Sequence, residues 1–204
     1  MKDSEFAKFV LLVNGVTPLA LLGWDAINNH LGADPIEFAL LTTGMLTLIF
    51  VLLTLCVTPA RKILHFNFLS NFRRMLGLLA FFYGSLHFLI YFVCYQSFSV
   101  RATVQDTIKR PFILFGMTCL ILMAPLAITS TQGMIRRLGA ANWKRLHWLI
   151  YPAAAAAVTH FWLYEKADTR KPRAFATVLA VLLLYRIVAM VRKNLKLATP
   201  TYAK

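Results

Sequence analysis

The chain alternates long apolar runs with short polar segments that are mostly basic. Each of six runs approaches the roughly 20 residues that an α-helix needs to cross a hydrocarbon core about 30 Å thick. These runs predict transmembrane helices over residues 7–24, 36–57, 75–95, 111–129, 146–164 and 174–191. The segments between them are too short to form a separate soluble domain. The pattern therefore predicts an all-α integral membrane protein, a six-helix transmembrane bundle that occupies residues 1–204 as one domain.

The composition supports a membrane protein and excludes several kinds of site. The chain is 59% hydrophobic and 15% charged, whereas soluble domains carry about 25% charged residues. Its three cysteines lie far apart in apolar runs, and no Cys-x-x-Cys-His motif is present. Covalent c-type haem and a cysteine zinc site are therefore excluded. The sequence contains neither a Gly-x-Gly-x-x-Gly motif nor a P-loop, so no nucleotide-binding domain is expected.

The net charge of +14 is distributed unevenly across the predicted membrane. Six spans place both termini on one side, where fourteen Lys and Arg residues accompany two carboxylates. The other side holds seven basic residues and six carboxylates, and Arg186 lies inside the last span. This positive-inside bias predicts that both termini are cytoplasmic. The basic balance therefore orients the protein and is not expected to bind nucleic acid. The first span lacks a clear cleavage site, so we expect it to be retained.

Helix breakers predict where the connections lie. Thr58-Pro59 is expected to end the second helix, and Ser130-Thr131-Gln132-Gly133 is expected to end the fourth. The predicted cytoplasmic loops are 58–74 and 130–145, and the loops on the other side are 25–35, 96–110 and 165–173.

Two short segments resemble each other. Residues 86–91 read Leu-His-Phe-Leu-Ile-Tyr and residues 146–151 read Leu-His-Trp-Leu-Ile-Tyr, which pairs His87 with His147. An Arg-Arg pair and a Leu-Gly precede each segment at different spacings. The similarity predicts only a weak internal repeat, because chance matches are common in apolar sequence.

Three histidines, His87, His147 and His160, fall inside predicted spans. Ionisable groups in hydrocarbon are costly and are candidates for function. A neutral histidine that is hydrogen-bonded between helices is the structural alternative. Proton relays normally include carboxylates, whereas here only Glu37 lies at a helix mouth. Imidazoles that face each other across a helical bundle commonly hold haem iron without covalent attachment.

Depth along the helices indicates which histidines can pair. His87 lies 14 residues after Arg73, and His160 lies 13 residues after His147. At a rise of 1.5 Å per residue, each is roughly 20 Å from the cytoplasmic end. His87 and His160 can therefore clamp one haem toward the outer leaflet. His147 lies about 140° around the helix from His160. Either a kink at Pro152 turns His147 toward a second cofactor, or His147 has a different role.

Two arginines near these histidines are also candidates. Arg73 and His87 differ by about 40° around their helix, so Arg73 can pair with a haem propionate or a flavin phosphate. The alternative is that Arg73 is a topology anchor that snorkels to the surface. Arg186 either contacts a cofactor or lipid phosphate or snorkels to the cytoplasmic face. His30 and His65 lie in predicted loops on opposite sides of the membrane.

Taken in order, several motifs resemble one known family. They are Gly32-Ala33-Asp34-Pro35, Thr43-Gly44, Thr58-Pro59-Ala60-Arg61, Arg73-Arg74 with Leu76-Gly77-Leu78, Leu86-His87, Thr129-Ser130-Thr131-Gln132 with Arg137-Leu138-Gly139, Leu146-His147, and His160. Over nearly the whole chain they resemble the MsrQ family, the haem-binding membrane subunits of a periplasmic methionine-sulfoxide reductase. That family lies within the wider ferric-reductase-like transmembrane group.

The resemblance implies a b-type haem protein of the bacterial inner membrane, with FMN as a further cofactor. The haem-associated histidines would be His87, His147 and His160, and the fourth position of the wider group reads Arg73. We expect the basic segments with Arg73, Arg74 and Arg137 to receive cofactor propionates or phosphates, or a negatively charged electron donor. The implied electron donors are the quinol pool or a cytoplasmic flavin reductase. The implied acceptor is a periplasmic molybdopterin (molybdenum-containing) methionine-sulfoxide reductase, which would carry the catalytic site and repair oxidised proteins.

The sequence is also compatible with other functions. A stand-alone ferric reductase or quinol-oxidising cytochrome b would share the haem site and differ in its acceptor. A small proton-coupled transporter would use the histidines differently, but the near absence of carboxylates in the spans and of an inverted repeat argues against it. A purely structural scaffold, in contact with membrane lipid alone, is the last alternative.

Overall fold

The computed structural model describes residues 3–198, which form α-helices and short connections. The helices are α1 Asp3–Ile27, α2 Pro35–Leu64, α3 Arg73–Ile90, α4 Val100–Lys109, α5 Pro111–Ile128, α6 Gln132–Leu138, α7 Ala140–Leu146, α8 Ile150–Tyr164 and α9 Arg170–Ala198. Single 3-10 segments cover Asn67–Asn71 and His147–Leu149, and Tyr91–Tyr95 forms a π-helical turn. Lys2 and Lys204, which contribute to the predicted charge asymmetry, lie outside the described residues.

Within residues 3–198, five helical segments are long and apolar enough to cross a membrane. They are Glu5–Ile27, Pro35–Leu64, Asn67–Tyr95, Pro111–Ile128 and Arg170–Arg192. Many large apolar side chains on them, such as Leu53, Phe82 and Ile121, are exposed. An apolar exterior of this extent is expected of a surface that faces lipid. The protein is therefore a multi-pass membrane protein with an all-α fold.

The sixth predicted span, residues 146–164, is not confirmed. A 3-10 segment, His147–Leu149, interrupts it, and α8 that follows has 15 residues. At 1.5 Å per residue α8 is about 22 Å long, which is less than the thickness of a hydrocarbon core. The count of six transmembrane helices is thus a prediction that the described residues do not bear out.

The predicted end of the second helix at Pro59 is wrong, because α2 continues to Leu64. Proline has no N–H, so Pro59 leaves the carbonyl of Leu55 without its helical donor. Arg186 of α9 donates a hydrogen bond from Nη2 to that carbonyl, at 2.9 Å. A proline is tolerated inside an apolar helix where another group satisfies the freed backbone.

Two predicted loops also contain helices. Residues 96–110 include α4, and residues 130–145 include α6 and α7. Ser99 accepts a hydrogen bond from the Ala102 N–H, and Thr131 accepts one from the Met134 N–H. These side chains are N-caps that begin helices. Polar residues of this kind are typical of both loops and helix starts, which is why the pattern predicted loops.

The core is formed by α2, α3, α5 and α8, and α9 packs against them. Small buried residues on α8, among them Ala153, Ala154 and Ala157, allow its neighbours to approach closely. Polar groups in this core bond to their own helix: Thr47 and Thr54 donate to carbonyls four residues earlier. The arrangement creates a cavity between the four helices.

Helix α1 is joined to this core by one buried hydrogen bond. The hydroxyl of Tyr83 on α3, which is fully buried, donates to the carbonyl of Gly15 at 2.7 Å. Gly15 is itself buried, and a Cβ there would lie 2.6 Å from the Leu79 side chain. The glycine therefore lets α1 lie against α3 closely enough for the bond to form.

Candidate functional site

A cavity of about 410 Å³ lies between the four core helices. It is located where α2 and α5 begin and where α3 and α8 end, and most of its lining is apolar. Its volume falls in the range typical of ligand and cofactor sites. Because His87 and His160 both line it, we refer to it as the histidine cavity.

The two histidines are held by backbone carbonyls of the neighbouring helices. Nδ1 of His87 lies 2.9 Å from the Leu40 carbonyl oxygen, and Nδ1 of His160 lies 2.6 Å from that of Phe112. A carbonyl oxygen can only accept, so in both rings the Nδ1–H donates. Nε2 of each neutral imidazole then keeps its lone pair. This is the tautomer that metal-bound histidine adopts when its other nitrogen is hydrogen-bonded.

The spacing of the two rings fits a haem held between them. The ring centroids of His87 and His160 are 6.0 Å apart, and the ring planes are inclined by 84°. Two imidazoles bound to opposite faces of one metal ion place their centres about 6 Å apart, because each metal–nitrogen bond is about 2 Å long and each ring centre lies about 1 Å beyond its nitrogen. The structure thus brings together the pair that the helix-depth argument selected, and their role as ligands stays a prediction.

His147 lies outside the histidine cavity, on the 3-10 segment before α8. Its Nδ1–H donates to the carbonyl of Trp143 at 3.0 Å, and the two rings stack with centroids 3.8 Å apart. His147 also interacts electrostatically with Arg73. The structure therefore groups His147 with Arg73 rather than with the histidine pair.

Three arginines, Arg61, Arg73 and Arg186, form what we call the basic cluster. Arg186 does not snorkel outward: its Nη1 donates to the Tyr151 hydroxyl at 2.8 Å, and its guanidinium lies 5.2 Å from the centre of that ring. Nε of Arg186 is buried and has no hydrogen-bond partner among the described residues. Arginine presents its donors in a fork that matches carboxylates and phosphates. The cluster can therefore bind an anionic group.

The remaining predicted site residues lie apart from these two centres. Arg74 and Arg137 are exposed, the latter on the short helix α6. His30 is exposed in the connection between α1 and α2, and His65 is exposed directly after α2.

Apart from Glu37, which the sequence placed at a helix mouth, the polar residues at the mouth of the histidine cavity were not predicted. The Tyr91 hydroxyl donates to Asp106 at 2.7 Å, and Arg110 forms an ion pair with the same carboxylate at 2.9 Å. On the other side of the mouth the Tyr164 hydroxyl donates to Glu37 at 3.3 Å. Asp106 lies on α4, in a segment that the sequence predicted to be a loop. Its pairing was therefore not visible in the hydrophobic pattern.

Two glycines in contact with the histidines were also missed. A Cβ at Gly44 would lie 3.0 Å from Nδ1 of His87, and a Cβ at Gly116 would lie 2.9 Å from Nδ1 of His160. Glycine inside a helix costs about 1 kcal/mol relative to alanine. A glycine in the middle of an apolar run was therefore a usable signal of close packing.

The chain is similar to one family model and to several known proteins. The family described as ferric reductase like transmembrane component matches residues 39–158. A protein of Herminiimonas arsenicoxydans, named protein-methionine-sulfoxide reductase heme-binding subunit MsrQ, is 43% identical over 88% of this chain and 84% of the relative. A protein of the same name from Rhodospirillum rubrum is 43% identical over 95% of this chain and 94% of the relative. Another, from Xanthomonas campestris pv. campestris, is 44% identical over 84% of this chain and 81% of the relative.

Proposed function

Because the chain belongs to the ferric-reductase-like transmembrane family and, within it, to the MsrQ heme-binding subunits, we propose that it transfers electrons within a methionine-sulfoxide reductase system. In this proposal His87 and His160 are the two axial ligands of a haem b in the histidine cavity. The observation that carries the proposal is the pair of imidazoles 6.0 Å apart. In both rings Nδ1–H is engaged by a carbonyl, which leaves the Nε2 lone pair available to bind a metal.

The residues around the pair favour electron transfer over binding of a small substrate. Haem b supplies an iron that accepts and releases one electron. If His87 and His160 both held that iron, no coordination position would be left for a substrate. The lining is mostly apolar, and Tyr91 and Tyr164 lie at the mouth, where they are hydrogen-bonded to Asp106 and Glu37. The catalytic site for methionine sulfoxide would then lie on the partner.

We further propose that His147 and the basic cluster hold a second cofactor, either a second haem or FMN. Arg73 and Arg186 would bind its propionates or phosphate, and the buried Nε of Arg186 is a donor still available for this purpose. His147 would ligate or support the same group, since Nδ1–H is engaged by the Trp143 carbonyl. The exposed Arg74 and Arg137 would meet a negatively charged electron donor or lipid headgroups.

The proposed direction of transfer follows from the charge asymmetry. In this proposal residues 146–164 also cross the membrane, so that both termini are cytoplasmic and the chain forms one domain in the bacterial inner membrane. The basic cluster would then lie on the cytoplasmic side and the histidine cavity on the periplasmic side. Electrons from the quinol pool or a cytoplasmic flavin reductase would enter near His147. They would leave from the histidine cavity to a periplasmic molybdenum-containing methionine-sulfoxide reductase.

Anaerobic stopped-flow spectroscopy tests this function. The purified protein, reduced with half a mole of dithionite per mole of haem so that no reductant remains, is mixed with a periplasmic molybdenum-containing methionine-sulfoxide reductase and methionine sulfoxide. With the reductase at a small fraction of the haem concentration, we expect complete reoxidation of the haem bands only when methionine sulfoxide is also present. The control His30→Ala, at an exposed position, should behave like the parent. Equally fast reoxidation by a ferric chelate without the reductase would instead favour a stand-alone ferric reductase. A colourless protein would contradict electron transfer through haem.

A further inference from the structure

The histidine cavity is built from two copies of one short pattern. Residues 44–48 read Gly-Met-Leu-Thr-Leu, and residues 116–120, 72 positions later, read Gly-Met-Thr-Cys-Leu. Residues 87–91 read His-Phe-Leu-Ile-Tyr, and residues 160–164, 73 positions later, read His-Phe-Trp-Leu-Tyr. Most members of these four segments line the cavity. The first copy lies on α2 and α3 and the second on α5 and α8, so each antiparallel helix pair contributes one histidine.

In both copies the histidine contacts its partner helix in the same way. The Nδ1–H of His87 donates to the carbonyl four residues before Gly44, and that of His160 donates to the carbonyl four residues before Gly116. In an α-helix the carbonyl of residue i bonds to the N–H of residue i+4, so the side chain at i+4 lies beside that carbonyl. A histidine ring that shares the carbonyl therefore comes close to the space that a side chain at residue i+4 would occupy.

The distances show that each ring occupies this space. A Cβ on Gly44 would lie 3.0 Å from both Nδ1 and Cε1 of His87. A Cβ on Gly116 would lie 2.9 Å from Nδ1 and 3.1 Å from Cε1 of His160. Alanine at either position would push the ring away from its carbonyl, and the closer contact predicts a larger displacement at Gly116.

We propose that Gly44 and Gly116 are positioning residues for the haem. Each glycine and the carbonyl four residues before it form a cradle for one axial imidazole. The cradle fixes the plane of the ring and its Nδ1–H bond. The inference rests on the proposed function, since it concerns the same two histidines. The cradles hold the ring planes at 84°. They also strengthen Nε2 as a ligand, because an Nδ1–H bond to a carbonyl raises imidazole basicity. The occurrence of the same cradle twice in one chain argues against a chance contact.

The angle between the ring planes has a spectroscopic consequence. Low-spin ferric haem with two imidazoles in nearly perpendicular planes gives a strongly anisotropic EPR spectrum with one unusually large g value. Parallel planes give a rhombic spectrum with a smaller maximum g value. The parent protein is therefore expected to show the strongly anisotropic signal for the haem in the histidine cavity.

The variants Gly44→Ala and Gly116→Ala test the cradles, with Gly77→Ala and Gly23→Ala as controls. Gly77 also lies within a core helix, but the nearest atom to its Cβ would be Thr54 Cγ2 at 3.8 Å, and a Cβ on Gly23 would meet nothing within 4 Å. Haem content, EPR spectrum and midpoint potential are measured on purified protein of unchanged helicity. We expect a loss of haem affinity of about 10- to 100-fold. In the haem that remains, the largest g value should shift and the midpoint potential should rise, more so for Gly116→Ala.

The outcomes separate this inference from the proposed function. Parent-like spectra, potential and haem content in both cradle variants, or equal changes in the two controls, would overturn the positioning role. If neither variant accumulates as folded protein, the EPR spectrum of the parent tests the positioning role. A rhombic signal, which indicates parallel rings, would overturn that role. A parent without haem would contradict the proposed function itself. A haem-containing parent with unaffected variants would contradict only the cradles.

Discussion

Replacing Arg186 with methionine would remove the donor that satisfies the Leu55 carbonyl, which Pro59 leaves without a helical hydrogen bond. Methionine keeps an unbranched apolar chain but loses both donors, to the Leu55 carbonyl at 2.9 Å and to the Tyr151 hydroxyl at 2.8 Å. A hydrogen bond from a charged group contributes about 1.5–3 kcal/mol in soluble proteins. Polar contacts in membrane bundles average about 0.6 kcal/mol, and removal of a buried charge recovers some desolvation energy. We therefore expect the free energy of unfolding to fall by about 1–2 kcal/mol.

A double-mutant cycle with Pro59→Ala isolates the carbonyl. Alanine at residue 59 restores an N–H that can bond to the Leu55 carbonyl, so loss of Arg186 should cost about 1 kcal/mol less in that background. The measurement is SDS-induced unfolding in mixed micelles, followed by helicity, for the four proteins at equal haem content. Arg192→Met, at an exposed position on the same helix, is the matched control and should leave the midpoint unchanged. An equal cost of Arg186→Met in both backgrounds would refute the role assigned to the Leu55 carbonyl.

Three further predictions concern the buried bond of Tyr83, the second cofactor centre and the orientation in the membrane. Tyr83→Phe removes the hydroxyl that binds the Gly15 carbonyl and should lower the free energy of unfolding by about 1 kcal/mol; an unchanged SDS midpoint would contradict the buried bond. His147→Ala should lower total haem or flavin content while the EPR signal of the histidine cavity persists, because His147 lies outside that cavity; disappearance of that signal would contradict two separate centres. In a cysteine-free background, a membrane-impermeant maleimide should label Asp168→Cys in intact cells and Gln132→Cys only after permeabilisation; the reverse pattern would contradict the orientation.

The pairing of His87 with His160 was accessible from the sequence because it depends on local geometry. The rise per residue of a helix is fixed by its hydrogen bonds, so counting from the basic ends placed both histidines at the same depth. In the structure the two ring centroids are 6.0 Å apart. The apolar runs likewise identified the long helices, since burial in lipid requires apolar composition along the whole span.

The register of the internal repeat was not accessible in the same way. Similar letters paired residues 86–91 with 146–151, and thus His87 with His147. The structure instead matches His87 with His160, through the carbonyl and glycine that each ring contacts. Apolar sequence has few distinct letters, so a match of six residues carries little information. The correct register depends on contacts between helices, which one sequence does not display.

Two predicted helix boundaries, at Pro59 and at residue 146, differ from the structure for different reasons. Pro59 was expected to end α2, but its freed carbonyl is satisfied by Arg186, a residue distant in the chain. The span 146–164 was expected to be one helix, but its first turn is a 3-10 segment in which His147 stacks on Trp143. At Pro59 a tertiary contact outweighs local preference, and no pattern along the chain reveals it. At His147 the contact is local, between residues four apart, but the apolar pattern does not distinguish a 3-10 turn from an α-helical one.

The visible absorption spectrum of purified protein tests the central claim, that His87 and His160 hold a haem b between them. Spectra of the oxidised and dithionite-reduced forms are compared for the parent, His87→Ala, His160→Ala and the exposed control His30→Ala. The parent and the control are expected to show bands of low-spin, bis-imidazole haem b, and each cavity variant is expected to lose them or convert to high-spin bands. Unchanged low-spin haem in both cavity variants would contradict the ligand assignment, and a haem-free parent, even with haem supplied during expression, would contradict the whole mechanism.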